Sequence, residues 1–130
     1  MGIELTVLAL GCILGVVQIF VAAQLATRQY GLSWGLSPRD AAVPPPAPLV
    51  GRLTRARANF LETFPIAATA ILMVEFAGLN NQWTAIGAVV WLTARVLYVP
   101  VYALGIPGLR SALFATSIVG IAMLLWQVLT

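Results

Sequence analysis

The sequence predicts an all-α integral membrane protein, a four-transmembrane-helix bundle that forms a single domain over residues 1–130. Hydrophobic residues make up 61% of the chain, against ~45–50% in soluble domains, and the mean hydropathy is +0.97. The chain also contains four apolar runs, each close to the ~20 residues that cross a hydrocarbon core of about 30 Å as a helix. Little of the chain remains for a soluble domain.

The predicted helices cover about residues 3–28, 51–76, 82–102 and 108–129. The first run has no basic stretch before it and exceeds the ~7–15 residues of a signal-peptide core, so we expect a retained span. A long loop over residues 29–50 follows, and its prolines keep the second half extended. The later connections, "GLNN" and "LGIPG", are short. Backbone groups in lipid must be satisfied internally, which favours helices for all four runs.

The arginines predict the orientation of the bundle. Both termini and the second connection carry no Arg or Lys. Arg110 lies beside the third connection. The arginines in or beside the first connection are Arg28, Arg39, Arg52, Arg55 and Arg57. By the positive-inside rule, the first and third connections face the cytoplasm and both termini lie outside. Glu4 and Glu75 fall toward the opposite membrane face, where they cost little.

Composition also excludes several kinds of site. The chain has no His, which argues against a His-based catalyst and the common His-ligand metal sites, and we predict no metal. Its single cysteine, Cys12, permits no intrachain disulfide. Membrane topology explains the net charge of +3 better than nucleic acid does, because no soluble module carries the arginines.

Polar residues interrupt the second span in the stretch "RARANFLETFP". Arg52, Arg55, Asn59 and Glu62 follow a 3-4-3 spacing and therefore form one stripe on a helix, whereas Arg57 points elsewhere. The stripe descends about 15 Å from the cytoplasmic end. An ionised carboxylate at that depth costs a few kcal/mol unless it faces a partner or a water-filled cavity. We expect Arg55 and Asn59 to help satisfy Glu62.

Spans three and four carry polar groups at the same membrane level. Arg95, Tyr98 and Tyr102 share one face at i, i+3 and i+7, and Arg110 with Ser111 opens span four. Together with the stripe they predict a basic, hydrogen-bonding pocket, which suits a ligand with several carboxylates and amides such as glutathione.

Structural interpretations of the same residues remain open. Tyr98 and Tyr102 fit an interfacial aromatic belt. The arginines that fit ordinary positive-inside or snorkelling residues are Arg28, Arg39, Arg52 and Arg57. Glu62 with Arg55 and Arg95 fits a structural ion network between helices.

Three separated motifs resemble the MAPEG family, the membrane-associated proteins of eicosanoid and glutathione metabolism. They are Arg55, Asn59, Glu62 and Pro65 in "RARANFLETFP", the Arg95, Tyr98 and Tyr102 spacing, and the Arg110-Ser111 pair. The resemblance covers the whole chain, and "RQYGLSWGLSPRD" looks like the first loop of bacterial members. It implies a homotrimer of four-helix bundles in the bacterial inner membrane. Glutathione would bind between neighbouring subunits near the cytoplasmic face.

The resemblance also implies residue roles. Glutathione would contact Arg55, Asn59, Glu62, Arg95, Tyr98 and Tyr102, with Arg28 a looser candidate from the end of the first helix. Arg110 would lie beside the thiol, and Ser111 would donate a hydrogen bond to the sulfur. A thiol of pKa about 8.5 is mostly protonated at neutral pH, and a nearby guanidinium favours the thiolate.

The expected function is therefore a glutathione-dependent membrane transferase or peroxidase. Its thiolate would attack a lipophilic electrophile or hydroperoxide that arrives from the bilayer. The alternative is a non-catalytic membrane lipid-binding or scaffold protein of the same fold. A small transporter or channel is disfavoured because the polar stripe gives way to Ile66, Thr69 and Met73 toward the outer half.

Overall fold

The computed structural model describes all 130 residues and contains five helices and no strand. The helices are α1 (Ile3–Tyr30), α2 (Leu32–Leu36), α3 (Pro48–Phe76), α4 (Gln82–Leu104) and α5 (Leu109–Leu129). All except α2 are long and apolar enough to cross a membrane. The prediction of an all-α bundle with four spans is confirmed. α1 and α4 end on the same side of the bundle on which α3 and α5 begin. We call this side the loop end, and we call the opposite side, which contains both termini, the terminal end.

The first connection is more structured than expected. α1 extends two residues beyond the predicted boundary, α2 adds a short helix, and α3 begins three residues early at a proline suited to a first helical turn. The proline-rich part is extended and is fastened to α1. The Tyr30 hydroxyl donates to the Pro44 carbonyl at 2.8 Å, and Gln29 Nε2 donates to the Pro45 carbonyl at 3.1 Å. The backbone N–H of Ala47 donates to Gln29 Oε1 at 2.8 Å.

Aromatic side chains of α3 and α4 pack closely against two glycines of α1. A Cβ at Gly11 would lie 2.8 Å from Phe64 Cε2 and 3.0 Å from Trp91 Cη2, and one at Gly15 would lie 3.1 Å from Phe60 Cε1. The rings of Phe60 and Phe64 stack at 5.2 Å, and Trp91 lies 5.8 Å from Phe64. Because van der Waals packing drives helix association in membranes, these close approaches join α1, α3 and α4.

α4 and α5 approach each other through a second pair of glycines. A Cβ at Gly120 would lie 2.6 Å from the Gly87 carbonyl oxygen and 2.7 Å from the Trp91 backbone nitrogen. Backbone atoms cannot rotate away as a side chain can, so a larger residue at Gly120 would force the two helices apart.

The expectation that Glu4 costs little at the membrane face needs a correction. Glu4 lies at the terminal end as expected, but it is buried, with 3% of its surface exposed. Its Oε1 accepts a 2.5 Å hydrogen bond from the Thr84 hydroxyl, and Thr84 also forms a capping box with Asn81 at the start of α4. The neighbouring helix therefore satisfies this carboxylate, which a linear sequence does not show.

Candidate functional site

Tyr102 lies between two guanidinium groups at the loop end of the bundle. Arg55 Nε, on α3, donates a 3.0 Å hydrogen bond to the Tyr102 hydroxyl, on α4. Arg110 Cζ, on the first turn of α5, lies 4.9 Å from the centroid of the Tyr102 ring. A guanidinium within ~6 Å of an aromatic centroid is attracted to the ring. Three helices thus place two cations and a phenol together.

Arg95 extends this cluster into the bundle. Its Cζ lies 4.3 Å from the Tyr98 ring centroid and 5.6 Å from that of Phe60. The rings of Tyr98 and Tyr102 meet edge to face at 5.6 Å. The spacing of 95, 98 and 102 puts all three α4 side chains on one face, as the sequence predicted. We call Arg55, Arg95, Tyr98, Tyr102 and Arg110 the cation–tyrosine cluster.

The buried members of this region lack hydrogen-bond partners within the chain. Arg95 is 1% exposed, yet none of its three guanidinium nitrogens has an acceptor. The Tyr98 hydroxyl and Asn59 Oδ1 are also buried and unpaired. Native proteins leave few such groups, because each costs a desolvation penalty that is largest for a charge. The region therefore offers unpaired donor groups on Arg95 and Tyr98 and an unpaired amide acceptor on Asn59, all at buried atoms.

The expected partnership of Glu62 with Arg55 and Asn59 is wrong within the chain. Arg55 turns to Tyr102, and Asn59 Oδ1 is buried without a partner. Arg55 and Glu62 are also about 10.5 Å apart along the helix axis, too far for an easy contact. Glu62 is exposed on a membrane-spanning helix. The predicted structural network of Glu62 with Arg55 and Arg95 is not formed in the chain.

The remaining predicted site residues lie at the edge of the cluster or apart from it. Arg110 and Ser111 are exposed and follow Gly108, whose positive φ of 80° turns the chain into α5. Arg110 contacts the cluster through Tyr102, whereas Ser111 makes no side-chain hydrogen bond to it. Arg28 is exposed in the last turn of α1 and is not joined to the cluster.

Arg52, which belongs to the predicted stripe, links α3 to the end of α4. One of its terminal nitrogens donates to the Ala103 carbonyl at 3.3 Å, in the last turn of α4. A cation there also interacts favourably with the negative end of the helix dipole.

Sequence reasoning missed one buried polar residue on α1. Gln18 is 5% exposed, and its Oε1 has no hydrogen-bond partner. The sequence could have indicated Gln18, because it is a lone amide in the middle of the apolar first span, where polar side chains are costly.

Comparison with known proteins gives one family. The model of the MAPEG family matches residues 6–130, nearly the whole chain. The search of curated proteins found no match to the chain.

Proposed function

The chain belongs to the MAPEG family, which includes glutathione transferases and peroxidases as well as non-catalytic members, and we propose that this protein is a glutathione-dependent membrane transferase or peroxidase. The proposed substrates are glutathione and a lipophilic electrophile or hydroperoxide from the bilayer. The proposed location is the inner membrane of a bacterium. In the proposed orientation, both termini lie outside and the loop end, where glutathione binds, faces the cytoplasm.

The unpaired guanidinium of Arg95 is the observation that carries this proposal. A buried cation without an acceptor is unfavourable, and a ligand carboxylate would supply the missing partner in a charge-assisted pair. Glutathione has two carboxylates, two amides and an ammonium group. Its carboxylates suit Arg55 and Arg95, its amides suit Asn59 and Tyr98, and its ammonium suits Glu62.

The exposed position of Glu62 supports a homotrimer in which glutathione lies between subunits. An ionised carboxylate on a lipid-facing surface is costly, so this side chain is expected to face another protein surface or a polar cavity. A neighbouring copy would cover it and could bring Arg28, which is separate from the cluster of its own chain, toward the ligand.

The proposed chemistry uses a thiolate held near Arg110. Its guanidinium stays protonated at neutral pH, so it stabilises the thiolate and is a poor base. In conjugation, the sulfur electron pair forms an S–C bond while the leaving group departs with its bonding pair. In peroxide reduction, the sulfur takes the terminal oxygen and the O–O bond breaks. The alkoxide gains a proton to become an alcohol, and a second glutathione converts the sulfenic acid to a disulfide and water. Ser111 would donate a hydrogen bond to the same sulfur.

The test is a thermal unfolding measurement on protein in detergent with and without glutathione at millimolar concentration. Ligand that binds only folded protein raises the melting temperature. We expect a rise for the wild type and a smaller one for Glu62→Gln, which keeps the shape of the side chain but removes its charge. Absence of any shift in the wild type would overturn glutathione binding. Turnover of a chloronitrobenzene or cumene hydroperoxide then distinguishes the enzyme from a non-catalytic binding protein.

A further inference from the structure

A cavity of about 260 Å³ lies under the first connection, away from the cation–tyrosine cluster. We call it the loop cavity. Alanines of α1 and the start of α3 form its apolar walls, and its polar wall consists of Tyr30, Trp34, Arg39, Thr54 and Arg57. None of these residues belongs to the cluster. Arg57 and Arg55 are two residues apart on α3, which puts them about 200° apart around the helix.

The polar wall is built by contacts among the end of α1, the short helix α2 and the residues that follow α2. The rings of Tyr30 and Trp34 lie 4.6 Å apart, and Arg39 Cζ lies 4.8 Å from the Trp34 centroid. A terminal nitrogen of Arg39 donates to the Gly35 carbonyl at 3.2 Å, and the Arg39 backbone N–H donates to Ser37 Oγ at 3.1 Å. These contacts hold the Arg39 guanidinium against the cavity.

Arg39 is held there at a conformational cost. Its φ of 65° is the only positive value at a residue other than glycine. The left-handed region is strained for an L-residue, and such outliers concentrate at functional positions. The contacts of the Arg39 side chain therefore compensate for its strained backbone and hold its guanidinium at the cavity.

The loop cavity has hydrogen-bond donors and no acid. The buried Trp34 Nε1 has no acceptor in the chain. Arg57 makes no side-chain hydrogen bond, and Arg39 uses only one of its five guanidinium N–H groups. No Asp or Glu lines the cavity. Two guanidiniums and an indole N–H around a partly open cavity suit an anion with several oxygens, such as phosphate.

The position of the cavity indicates where such an anion comes from. Its apolar walls belong to the membrane-spanning helices α1 and α3, while its cations come from the connection and the first turns of α3. Basic pockets between transmembrane helices at the cytoplasmic face are typical sites for anionic lipid headgroups.

We propose that the loop cavity binds the phosphate group of an anionic phospholipid, with Arg39, Arg57 and the Trp34 indole as donors. This site is separate from the proposed glutathione site and does not depend on it. A bound headgroup would join α1, the connection and α3.

The experiment measures lipid preference by native mass spectrometry of protein released from nanodiscs. The nanodiscs contain phosphatidylcholine alone or mixed with phosphatidylglycerol. We expect the wild type to retain phosphatidylglycerol preferentially. Arg39→Gln and Arg57→Gln should each reduce that preference about fivefold. Trp34→Phe, which keeps a ring and removes the donor, should reduce it less.

Arg28→Gln is the matched control, because it removes one positive charge at the same end of the bundle without touching the cavity. Its preference should equal that of the wild type. An equal loss in Arg28→Gln, or no preference in the wild type, overturns the proposal. Circular dichroism confirms that each variant is folded, and Arg57→Lys should retain part of the preference if a cation is what matters.

Inorganic phosphate distinguishes the two sources of the same chemistry. Added to protein in phosphatidylcholine nanodiscs, it should leave the melting temperature unchanged if only a headgroup is bound. A rise that Arg39→Gln abolishes would support the phosphate site but overturn the lipid as its source. The glutathione-induced shift should be the same in Arg39→Gln and wild type, so failure here is independent of failure at the glutathione site.

Discussion

The two ends of this bundle both bury ionisable groups, but only the terminal end satisfies them within the chain. There, the buried Glu4 carboxylate accepts from Thr84, and the partly exposed Glu75 accepts from Asn80 Nδ2 at 2.8 Å. At the loop end, the guanidinium of Arg95 and the hydroxyl of Tyr98 are equally buried and have no acceptor. A satisfied group stabilises the fold, whereas an unsatisfied one costs stability unless a ligand supplies its partner. We therefore propose a structural role for the terminal end and a binding role for the loop end.

The largest expected effect is on turnover, at the loop end. Arg110→Gln should reduce the rate of glutathione conjugation about 10²–10³-fold, since it removes a preorganised charge that stabilises the thiolate. The melting temperature without glutathione should change little, because Arg110 is exposed. The rate is measured at saturating glutathione, together with the ultraviolet absorbance of the thiolate. Arg110→Lys is the control and should retain part of both signals. Unchanged turnover in Arg110→Gln would remove Arg110 from the chemistry.

The next effect is on stability, at the terminal end. Thr84→Val keeps the shape of the side chain but leaves the Glu4 carboxylate buried without its donor, which should lower the free energy of unfolding by about 3 kcal/mol. Equilibrium unfolding in detergent measures this loss. The double variant Glu4→Leu with Thr84→Val removes both polar groups and should recover part of it. The glutathione-induced rise in melting temperature should persist, and its disappearance would show that the two ends are not independent.

Arg95→Met gives the sharpest contrast between the ends. Replacing an unpaired buried cation by an apolar chain of similar length should leave the melting temperature without glutathione unchanged or raise it. Glutathione affinity should fall about 10–100-fold, because one charge-assisted contact is lost. Calorimetric titration measures the affinity. A strong destabilisation in the absence of glutathione would instead make Arg95 a structural residue, like Glu4.

The smallest expected effect is at the hydrogen bond between Arg55 and Tyr102. Tyr102→Phe removes the acceptor of the 3.0 Å bond but keeps the ring beside Arg110, so glutathione affinity should fall only about fivefold. Tyr102→Ala also removes the ring and should weaken binding further. Equal affinities of the two variants would show that the ring, and its contacts with the guanidiniums, contributes nothing.

The sequence by itself determined the four long helices and the faces on which their polar residues lie, but not the short helix α2. Apolar runs of about 20 residues have the length and composition of spanning helices, and a period of 3.6 residues places Arg95, Tyr98 and Tyr102 on one side of α4 whatever packs against them. The motifs also indicated the family, which the match over residues 6–130 confirms.

Only the tertiary structure decided which polar groups meet. The partner of Arg55 is Tyr102, 47 positions away, rather than Glu62 on its own helix, and the partner of Glu4 is Thr84. The loop cavity likewise required the connection to fold back on α1 and α3. The physical reason is that helical periodicity fixes which side chains share a face, while the rotation and separation of neighbouring helices fix what each face contacts. Those depend on the close approaches at Gly11, Gly15 and Gly120.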